Sequence, residues 1–428
     1  MVAKKIPLPM QNYLEHLDGV KKSRLLKQIS SLDATDLEEQ KTSFLHPIEI
    51  VQKSWPSLKK CSSPRAQDVL KGKKAYKEGK AAFVILAGGQ GVRLGWDKPK
   101  GCFPITIVKH KSLFQIFCEK IFYAQKYYNQ EFELVIMVSD FNGKETENFF
   151  EENHYFGLKK EQIHFVYQKS LPVFDKNGLW QLAKEDEIAF APNGNGQVFH
   201  LLAKEGFLEK WKNKKIETVT LFSIDNPLAN PFNEEFLGLH LREKNDLTMQ
   251  AIPQEKNCGA LVSLDKKVSV LEYLYLNGNE KYFFSNINFF FFSLPFAFQM
   301  AKEDSKIGYH FVLKKSPIYS DGKMEVKEIL KSEKFLFDHF IYAKRFGCLL
   351  SSKQKCFCPL KAQGDIESIQ QILLKQDEEQ CLKIFKQRPL KKIFELSQEF
   401  YYLKMDQKKA YQKNSIQNLE YIDTASLE

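Results

Sequence analysis

The sequence predicts an α/β protein with a mostly parallel or mixed central sheet flanked by helices. Short, uninterrupted apolar runs, typical of strands buried on both faces, alternate with segments of helical apolar spacing. Glycine-rich and acidic segments follow several of these runs, as expected for loops at the carboxyl ends of parallel strands. We therefore expect one large α/β domain with its ligand site beyond those strand ends.

Each element of this domain has its own signal in the sequence. The predicted strands are 82–87, 133–138, 163–167 and 217–224, and the predicted helices are 113–127, 144–152 and 197–210. A buried strand followed by a helix start is predicted over 282–298. Before the domain, apolar residues from Leu8 to about Leu45 recur at helical spacing, with Asp33 or Thr35 as a cap. Beyond Gly364 the pattern is again that of amphipathic helix.

These patterns divide the chain into three parts: an N-terminal helical region (1–80), the α/β domain (81–345) and a C-terminal lobe (346–428). Among the 428 residues, 63 are basic and 53 acidic, which gives a net charge of +10. The lysines form no long basic block, so the charge favours small polyphosphate ligands over nucleic acid. The eight cysteines show no metal or disulfide spacing, and no segment reads as a signal peptide or membrane span. We therefore expect a cytoplasmic protein.

The segment 86–101 reads LAGGQGVRLGWDKPKG and directly follows a predicted strand. Its glycines let the backbone approach a polyphosphate closely, and successive N–H groups can form an anion-binding concavity. Arg93 and Lys100 add positive charge at the rim. The segment lacks the GxxxxGK[ST] of a P-loop, and Leu94 stands where the dinucleotide fingerprint needs its third glycine. It therefore predicts a nucleotide site of another kind.

This segment resembles the nucleotide-binding signature of the UDP-sugar pyrophosphorylases. It is most similar to that of the UDP-N-acetylglucosamine pyrophosphorylase branch, LAGGQGTRLGxxxPKG, from which it departs at Val92. Further segments resemble motifs of the family in the correct order: 112–116, 167–172, 191–196, 223–226, 258–262, 270–273, 285–288, 333–338 and 358–361. Each motif is weak alone, but the ordered set is specific. The resemblance implies a Rossmann-like nucleotidyltransferase domain.

The resemblance also implies a role for each matching residue. It places Leu86, Gly88, Gly89, Gly91, Gln168 and Gly194 at the nucleotide, where the Gln168 amide reads the uracil edge. It places Asn195, Gly259, Glu272 and Asn286 at the sugar, and makes Arg93, Lys100 and Lys361 the catalytic cations. Asp225, at the end of a predicted strand, would bind Mg²⁺.

The implied reaction joins UTP to a sugar 1-phosphate, N-acetylglucosamine 1-phosphate in this branch, and releases pyrophosphate. Two departures concern the sugar and nucleotide loops: Asn193 replaces an aspartate, and Phe284 and Ser285 stand where the branch has alanine and glycine. Glucose 1-phosphate, broad sugar specificity and a non-catalytic UDP-sugar sensor are the alternatives. The expected partners are UTP and the sugar 1-phosphate, with no nucleic acid or membrane, and the chain is expected to be a monomer or weak homo-oligomer.

Overall fold

The computed structural model describes residues 8–46, 55–276, 281–320 and 322–427. Its helices are α1 Leu8–Glu15, α2 Gly19–Ser31, α3 Ala34–Leu45, α4 Ala66–Lys77, α5 Leu113–Tyr128, α6 Gly143–Glu152, α7 Val198–Lys204, α8 Phe207–Asn213, α9 Glu234–Glu243, α10 Leu294–Lys302, α11 Lys353–Cys356, α12 Asp365–Phe385 and α13 Met405–Tyr411. Its strands are β1 Ala81–Leu86, β2 Leu134–Ser139, β3 Ile163–Gln168, β4 Ser170–Pro172, β5 Leu182–Lys184, β6 Glu187–Ile188, β7 Phe190–Pro192, β8 Thr218–Ser223, β9 Leu247–Pro253, β10 Ala260–Leu264, β11 Lys267–Leu271, β12 Phe284–Ser293, β13 His310–Ser320, β14 Lys323–Glu333, β15 Phe346–Leu350, β16 Glu395–Leu396 and β17 Tyr421–Ile422.

The central sheet is mixed and flanked by helices, so the predicted fold class is confirmed. Within the described ranges it contains nine strands. β3, β2, β1 and β8 lie side by side in that order and run parallel. β12 lies antiparallel to β8 and to both β9 and β10, β10 pairs with β11, and β15 lies parallel to β9. The four parallel strands therefore end at one edge, where the loops of the predicted site begin.

Both faces of this sheet are buried, which explains why the sequence of β1 is an uninterrupted apolar run. Phe83 and Ile85 pack into one apolar cluster together with side chains of α5 and α6. Ala82 and Val84 pack into a second cluster on the other face, together with side chains of α7, α8 and α10. Because helices cover both faces, polar residues are excluded from the strand interior, and the loop after β1 has a fixed base.

The predicted strands and helices of the α/β domain agree with the observed bounds to one residue at either end, with one exception. The segment 197–210 forms two helices, α7 and α8, in place of the single predicted helix. Gly206 lies between them with φ 78°, a left-handed conformation that ends a right-handed helix. The strand and helix start predicted over 282–298 are β12 and α10, and the Ser293 hydroxyl caps α10 by accepting the N–H of Phe296 at 3.3 Å.

A second, smaller sheet has the strand order β14-β13-β5-β6. The N-terminal helices cover part of it: Leu25 and Ile29 of α2 share an apolar cluster with Leu182 and Ile188. The helical spacing predicted for this region corresponds to α1, α2 and α3. Of the two predicted caps, Asp33 is the one used, because its carboxylate accepts the N–H at the start of α3 at 2.8 Å.

The C-terminal lobe has an apolar core of its own, in which Cys381, Ile384 and Phe385 of α12 pack with Phe394 and Phe400. The predicted divisions of the chain at residues 80 and 345 stay predictions. The central sheet nevertheless continues past residue 345, because β15 pairs with β9. None of the helices in the described ranges combines the length and apolar character needed to cross a bilayer.

Two glycines allow α4 and α9 to pack in close contact. A Cβ on Gly72 would lie 1.9 Å from the Glu234 carbonyl oxygen, and one on Gly238 would lie 1.8 Å from the Asp68 carbonyl oxygen. We expect Gly238→Ala to lower the free energy of unfolding by about 1–3 kcal/mol, because the two backbones must separate. Urea denaturation measures this loss. Gly19→Ala is the control: a Cβ on Gly19 would meet no other part of the described chain within 4 Å, so no loss is expected there.

Candidate active site

The loop that follows β1 is fixed by hydrogen bonds from Ser139, the last residue of β2, and from Asn142 shortly after it. The Asn142 amide donates to the carbonyl oxygens of Ala87 at 2.8 Å and Gly89 at 3.3 Å, and the Ser139 hydroxyl donates to that of Gly88 at 3.1 Å. Among the described residues, the N–H groups of Gly88 and Gly89 donate to no acceptor. With its carbonyl groups bound and these N–H groups free, the loop presents donors suited to an anion.

The buried side chain of Gln168, the last residue of β3, reaches this loop. A Cβ on Gly88 would lie 1.8 Å from the Gln168 Nε2 atom, so only glycine allows the contact. Gln168 is 6% exposed, and no residue of the described part forms a hydrogen bond with its amide. A buried amide with unused donors and acceptors is suited to pair with a ligand that offers the complementary edge.

Two other residues of the predicted nucleotide set have mainly structural contacts. The Leu86 side chain lies in the apolar core, and its carbonyl oxygen accepts the N–H of Ile224 at 3.1 Å. Gly91 donates its N–H to the Lys98 carbonyl oxygen at 3.3 Å, and a Cβ there would lie 2.7 Å from the Trp96 ring. Their predicted contact with nucleotide stays a prediction.

The loop 191–196 is bound to the start of the segment after β14. Lys334 donates its N–H to the Asn193 carbonyl oxygen at 2.7 Å and accepts the N–H of Gly196 at 2.9 Å. Gly194 has φ 90°, and a Cβ on it would lie 2.3 Å from the Lys334 carbonyl oxygen. The loop is therefore positioned by backbone contacts, while the Asn193 amide donates to Gln197 at 2.7 Å. This explains how asparagine is tolerated in place of aspartate.

Gly259, Glu272 and Asn286, three of the residues predicted to bind the sugar, lie together. Asn286 donates its N–H to the Gly259 carbonyl oxygen at 2.8 Å, and a Cβ on Gly259 would lie 3.6 Å from a Glu272 carboxylate oxygen. Burial raises the pKa of Glu272. Asn195 belongs to the loop 191–196, where its side-chain oxygen accepts the N–H of Leu336 at 2.9 Å. Its NH₂ group donates to no acceptor among the described residues and is left for a substrate.

The predicted catalytic cations come from separate segments of the chain and influence one another. Burial lowers the pKa of Lys100; the charge of Asp225 opposes this, and the charges of Arg93 and Lys361 lower the pKa further. The segment of Lys361 is attached to that of Asp225, because the N–H of Leu360 donates to the Asp225 carbonyl oxygen at 2.7 Å. Lys361 also opposes the rise in the Glu272 pKa. Its charge therefore also acts on the group formed by Gly259, Glu272 and Asn286, called here the sugar-binding cluster after its predicted role.

These charged groups have no salt-bridge partners. Within the described ranges, none of the side chains of Arg93, Lys100, Lys361 and Asp225 forms an ion pair, although many other lysines of the chain do. Cations that repel one another and form no ion pair are stabilised when an anion binds between them. Their arrangement is therefore that of a polyanion site.

A cleft of about 1330 Å³ adjoins this group of cations. Gly88, Gly89, Arg93 and Gln168 line it, whereas Lys100, Lys361, Asp225 and the sugar-binding cluster do not. A further wall is formed by the hairpin of β13 and β14, which contributes Lys314, Lys315 and Lys331. The sequence analysis did not find these lysines. The only signal was a Lys-Lys pair in a segment that matches none of the motifs quoted above.

A second cavity, of about 640 Å³, lies between α5 and the C-terminal lobe, to which α12 belongs. Its buried charged groups are bonded within the chain. Lys120 donates to the carbonyl oxygens of Pro227 at 2.7 Å and Ala229 at 2.9 Å, and Asp377 accepts the hydroxyl of Tyr401 at 2.7 Å. We assign no ligand to this cavity.

Comparison with known proteins identifies the family of the chain. The model of the family described as UTP–glucose-1-phosphate uridylyltransferase matches residues 24–426. The chain belongs to this family. The resemblance indicated by the ordered motifs is therefore confirmed, and the unpaired cations lie in the domain of a nucleotidyltransferase family.

Individual relatives agree with this assignment. A protein of Schizosaccharomyces pombe named probable UDP-N-acetylglucosamine pyrophosphorylase is 29% identical over 82% of this chain and 81% of its own length. UDP-N-acetylglucosamine diphosphorylase 1 of Arabidopsis thaliana is 31% identical over 81% of this chain and 75% of its own. The crystal structure of the UDP-N-acetylglucosamine pyrophosphorylase of Trypanosoma brucei with an inhibitor matches 87% of this chain and 83% of that chain, with 29% identity and a TM-score of 0.76.

Proposed function

We propose that the protein is a cytosolic uridylyltransferase that makes UDP-N-acetylglucosamine and pyrophosphate from UTP and N-acetylglucosamine 1-phosphate. The observation that carries the proposal is the convergence of Arg93, Lys100 and Lys361, three cations without ion pairs, at the edge where the parallel strands end. The relatives above support the choice of sugar by their names. All eight cysteines are free thiols, in keeping with a reducing compartment.

The chemistry requires positioning more than proton transfer. A phosphate oxygen of the sugar 1-phosphate attacks the α-phosphorus of UTP in line, and pyrophosphate leaves on the opposite side. The attacking oxygen is already an anion, so no general base is needed. Holding the two reactants in line can lower the barrier by about 7–11 kcal/mol, and fixed cations stabilise the charge that develops at the α-phosphate and leaving group.

The described residues suggest how each part of the substrates is held. The Gln168 amide pairs with uracil, and the free N–H groups of Gly88 and Gly89 donate to phosphate oxygens. Glu272 and Asn286 contact the sugar hydroxyl and acetamido groups. Lys361, whose charge acts both on Lys100 and on Glu272, lies where the sugar phosphate would approach the α-phosphate.

The residues present also fit Mg²⁺. In the described part of the chain no three acidic, histidine or cysteine side chains form a metal site, but Asp225 offers a carboxylate without an ion pair. Mg²⁺ is typically bound by one or two carboxylates together with substrate phosphates, so a single aspartate is sufficient. Bound there, Mg²⁺ would neutralise phosphate charge.

The proposal is tested by incubating the full chain with UTP, Mg²⁺ and one sugar 1-phosphate at a time, and measuring pyrophosphate release. The sugars are N-acetylglucosamine, N-acetylgalactosamine and glucose 1-phosphate. We expect N-acetylglucosamine 1-phosphate to give the highest kcat/KM, and we expect EDTA to abolish release. Activity that persists in EDTA would contradict the role of Mg²⁺.

Glucose 1-phosphate is the second candidate, because the description of the matching family names that substrate. If it reacts ten times faster than N-acetylglucosamine 1-phosphate, our choice of sugar is wrong. Comparable rates with all three sugars would indicate broad specificity. Binding of UTP without pyrophosphate release from any sugar would indicate a non-catalytic sensor.

A further inference from the structure

The hairpin of β13 and β14 presents an unpaired lysine to the cleft beside the glycine loop. Lys314 lies directly opposite Ile329 in the antiparallel register, so the two side chains leave the same face of the hairpin. Ile318, four residues further along β13, leaves this face as well. Ile329 and Ile318 line the cleft, as does Lys314 itself. The cleft therefore contacts the face of the hairpin that carries this lysine, and Lys315 and Pro317 of the opposite face line it as well.

Lys314 and its neighbour Lys315 differ from the other lysines of the hairpin, because neither forms an ion pair within the described ranges. Lys331 forms an ion pair with Glu333 at 2.8 Å, and Lys327 lies 3.7 Å from a Glu325 carboxylate oxygen. Within the described ranges Lys314 has no ion pair. Partial burial lowers its pKa, the charges of Lys331 and Arg93 lower it further, and the charge of Glu333 opposes them. A lysine without an ion pair near two other cations is stabilised when an anion enters the cleft.

In-line transfer determines which part of the substrates lies near Lys314. The sugar phosphate and the pyrophosphate must lie on opposite sides of the α-phosphorus. The charge of Lys361 acts on Glu272 of the sugar-binding cluster. The charge of Arg93 acts on Lys314 instead, and both residues line the cleft. The sugar-binding cluster does not line this cleft. The side of Arg93 and Lys314 is therefore that of the leaving group.

From this geometry we propose that Lys314 binds the β- and γ-phosphates of UTP, and hence pyrophosphate, from the hairpin wall across from the glycine loop. The proposal rests on the proposed function, because that reaction determines that the outer phosphates of UTP occupy the cleft. It makes the phosphate site two-sided: backbone N–H groups and Arg93 contact the phosphates from the loop, and the Lys314 ammonium contacts them from the hairpin.

The test measures binding, so it does not depend on turnover. Isothermal titration calorimetry with Mg²⁺ compares UTP with UMP, which lacks the outer phosphates, for the wild type, Lys314→Ala, Lys314→Arg and the control Lys327→Ala. We expect Lys314→Ala to raise the Kd of UTP about tenfold to a hundredfold and to leave that of UMP within about twofold, because only UTP loses a charged hydrogen bond. Lys314→Arg should retain most of the UTP affinity, and Lys327→Ala should behave as wild type.

Three results would overturn the proposal: an unchanged UTP Kd in Lys314→Ala, an equal loss for UTP and UMP, or an equal loss in Lys327→Ala. Kinetics of the reverse reaction give a second readout. The KM for pyrophosphate should rise in Lys314→Ala while the KM for the UDP-sugar stays the same. If the wild type binds UTP but never forms or consumes pyrophosphate, the proposed function is wrong, and the calorimetry still decides the role of Lys314.

Discussion

We expect Lys100→Ala to lower kcat by about 10²- to 10³-fold, the usual effect of removing one group that stabilises charge in a transition state. The charges of Arg93, Lys361 and Asp225 all act on Lys100. Alanine removes the charge while the loop keeps its shape, because the N–H of Lys100 continues to donate to the Gly89 carbonyl oxygen. Pyrophosphate release under saturating UTP and sugar 1-phosphate measures the effect.

The stability of the same variant separates a catalytic role from a structural one. In the fold the pKa of Lys100 is lowered, so at neutral pH its charged form is less favourable in the folded chain than in the unfolded one. Removing that charge should leave the free energy of unfolding unchanged within about 0.5 kcal/mol, or raise it. Lys98→Ala, an exposed lysine two residues earlier, is the matched control and should retain turnover. Loss of folding in Lys100→Ala would contradict the assignment.

The sequence predicts the four parallel strands β1, β2, β3 and β8 because most of their side chains are apolar and buried. The second sheet is not predicted, because β13 and β14 carry many exposed and charged residues. The split of α7 from α8 could not be predicted, because the helical spacing continues through Gly206 and only the backbone conformation breaks it. Motif resemblance brought Gln168 and Gly88 into the candidate site, and the structure adds that the two are in contact.

Other parts of the site depend on contacts between distant segments, which no local pattern reveals. Lys314 is separated by more than two hundred residues from Arg93, and only the position of the hairpin makes them neighbours. Asn142 follows β2 and supports the glycine loop through hydrogen bonds to carbonyl groups, which any residue could provide. The sequence analysis quoted the motif of Lys334 but gave this residue no role. The structure provides that role.

Lys334 is completely buried, and its ammonium joins three parts of the chain. It lies 2.8 Å from a carboxylate oxygen of Glu39 on α3 and 3.1 Å from one of Asp304, and it lies over the ring of Tyr309 at 5.1 Å. Its backbone meanwhile holds the loop of Asn193. The N-terminal helices and the candidate nucleotide loop are therefore attached to the same residue.

We expect Lys334→Ala to lower the free energy of unfolding by about 3–5 kcal/mol, because Glu39 and Asp304 keep their charges without a cation. The midpoint of urea denaturation measures the loss. Lys353→Ala, which breaks an ion pair with Glu255 that is largely exposed, should cost no more than about 1 kcal/mol. Adding Glu39→Gln to Lys334→Ala should recover part of the loss, because it removes one unpaired carboxylate. A loss below about 1 kcal/mol would show that this buried cation does not stabilise the fold. A larger loss with none recovered by Glu39→Gln would show that the unpaired carboxylate of Glu39 is not its cause.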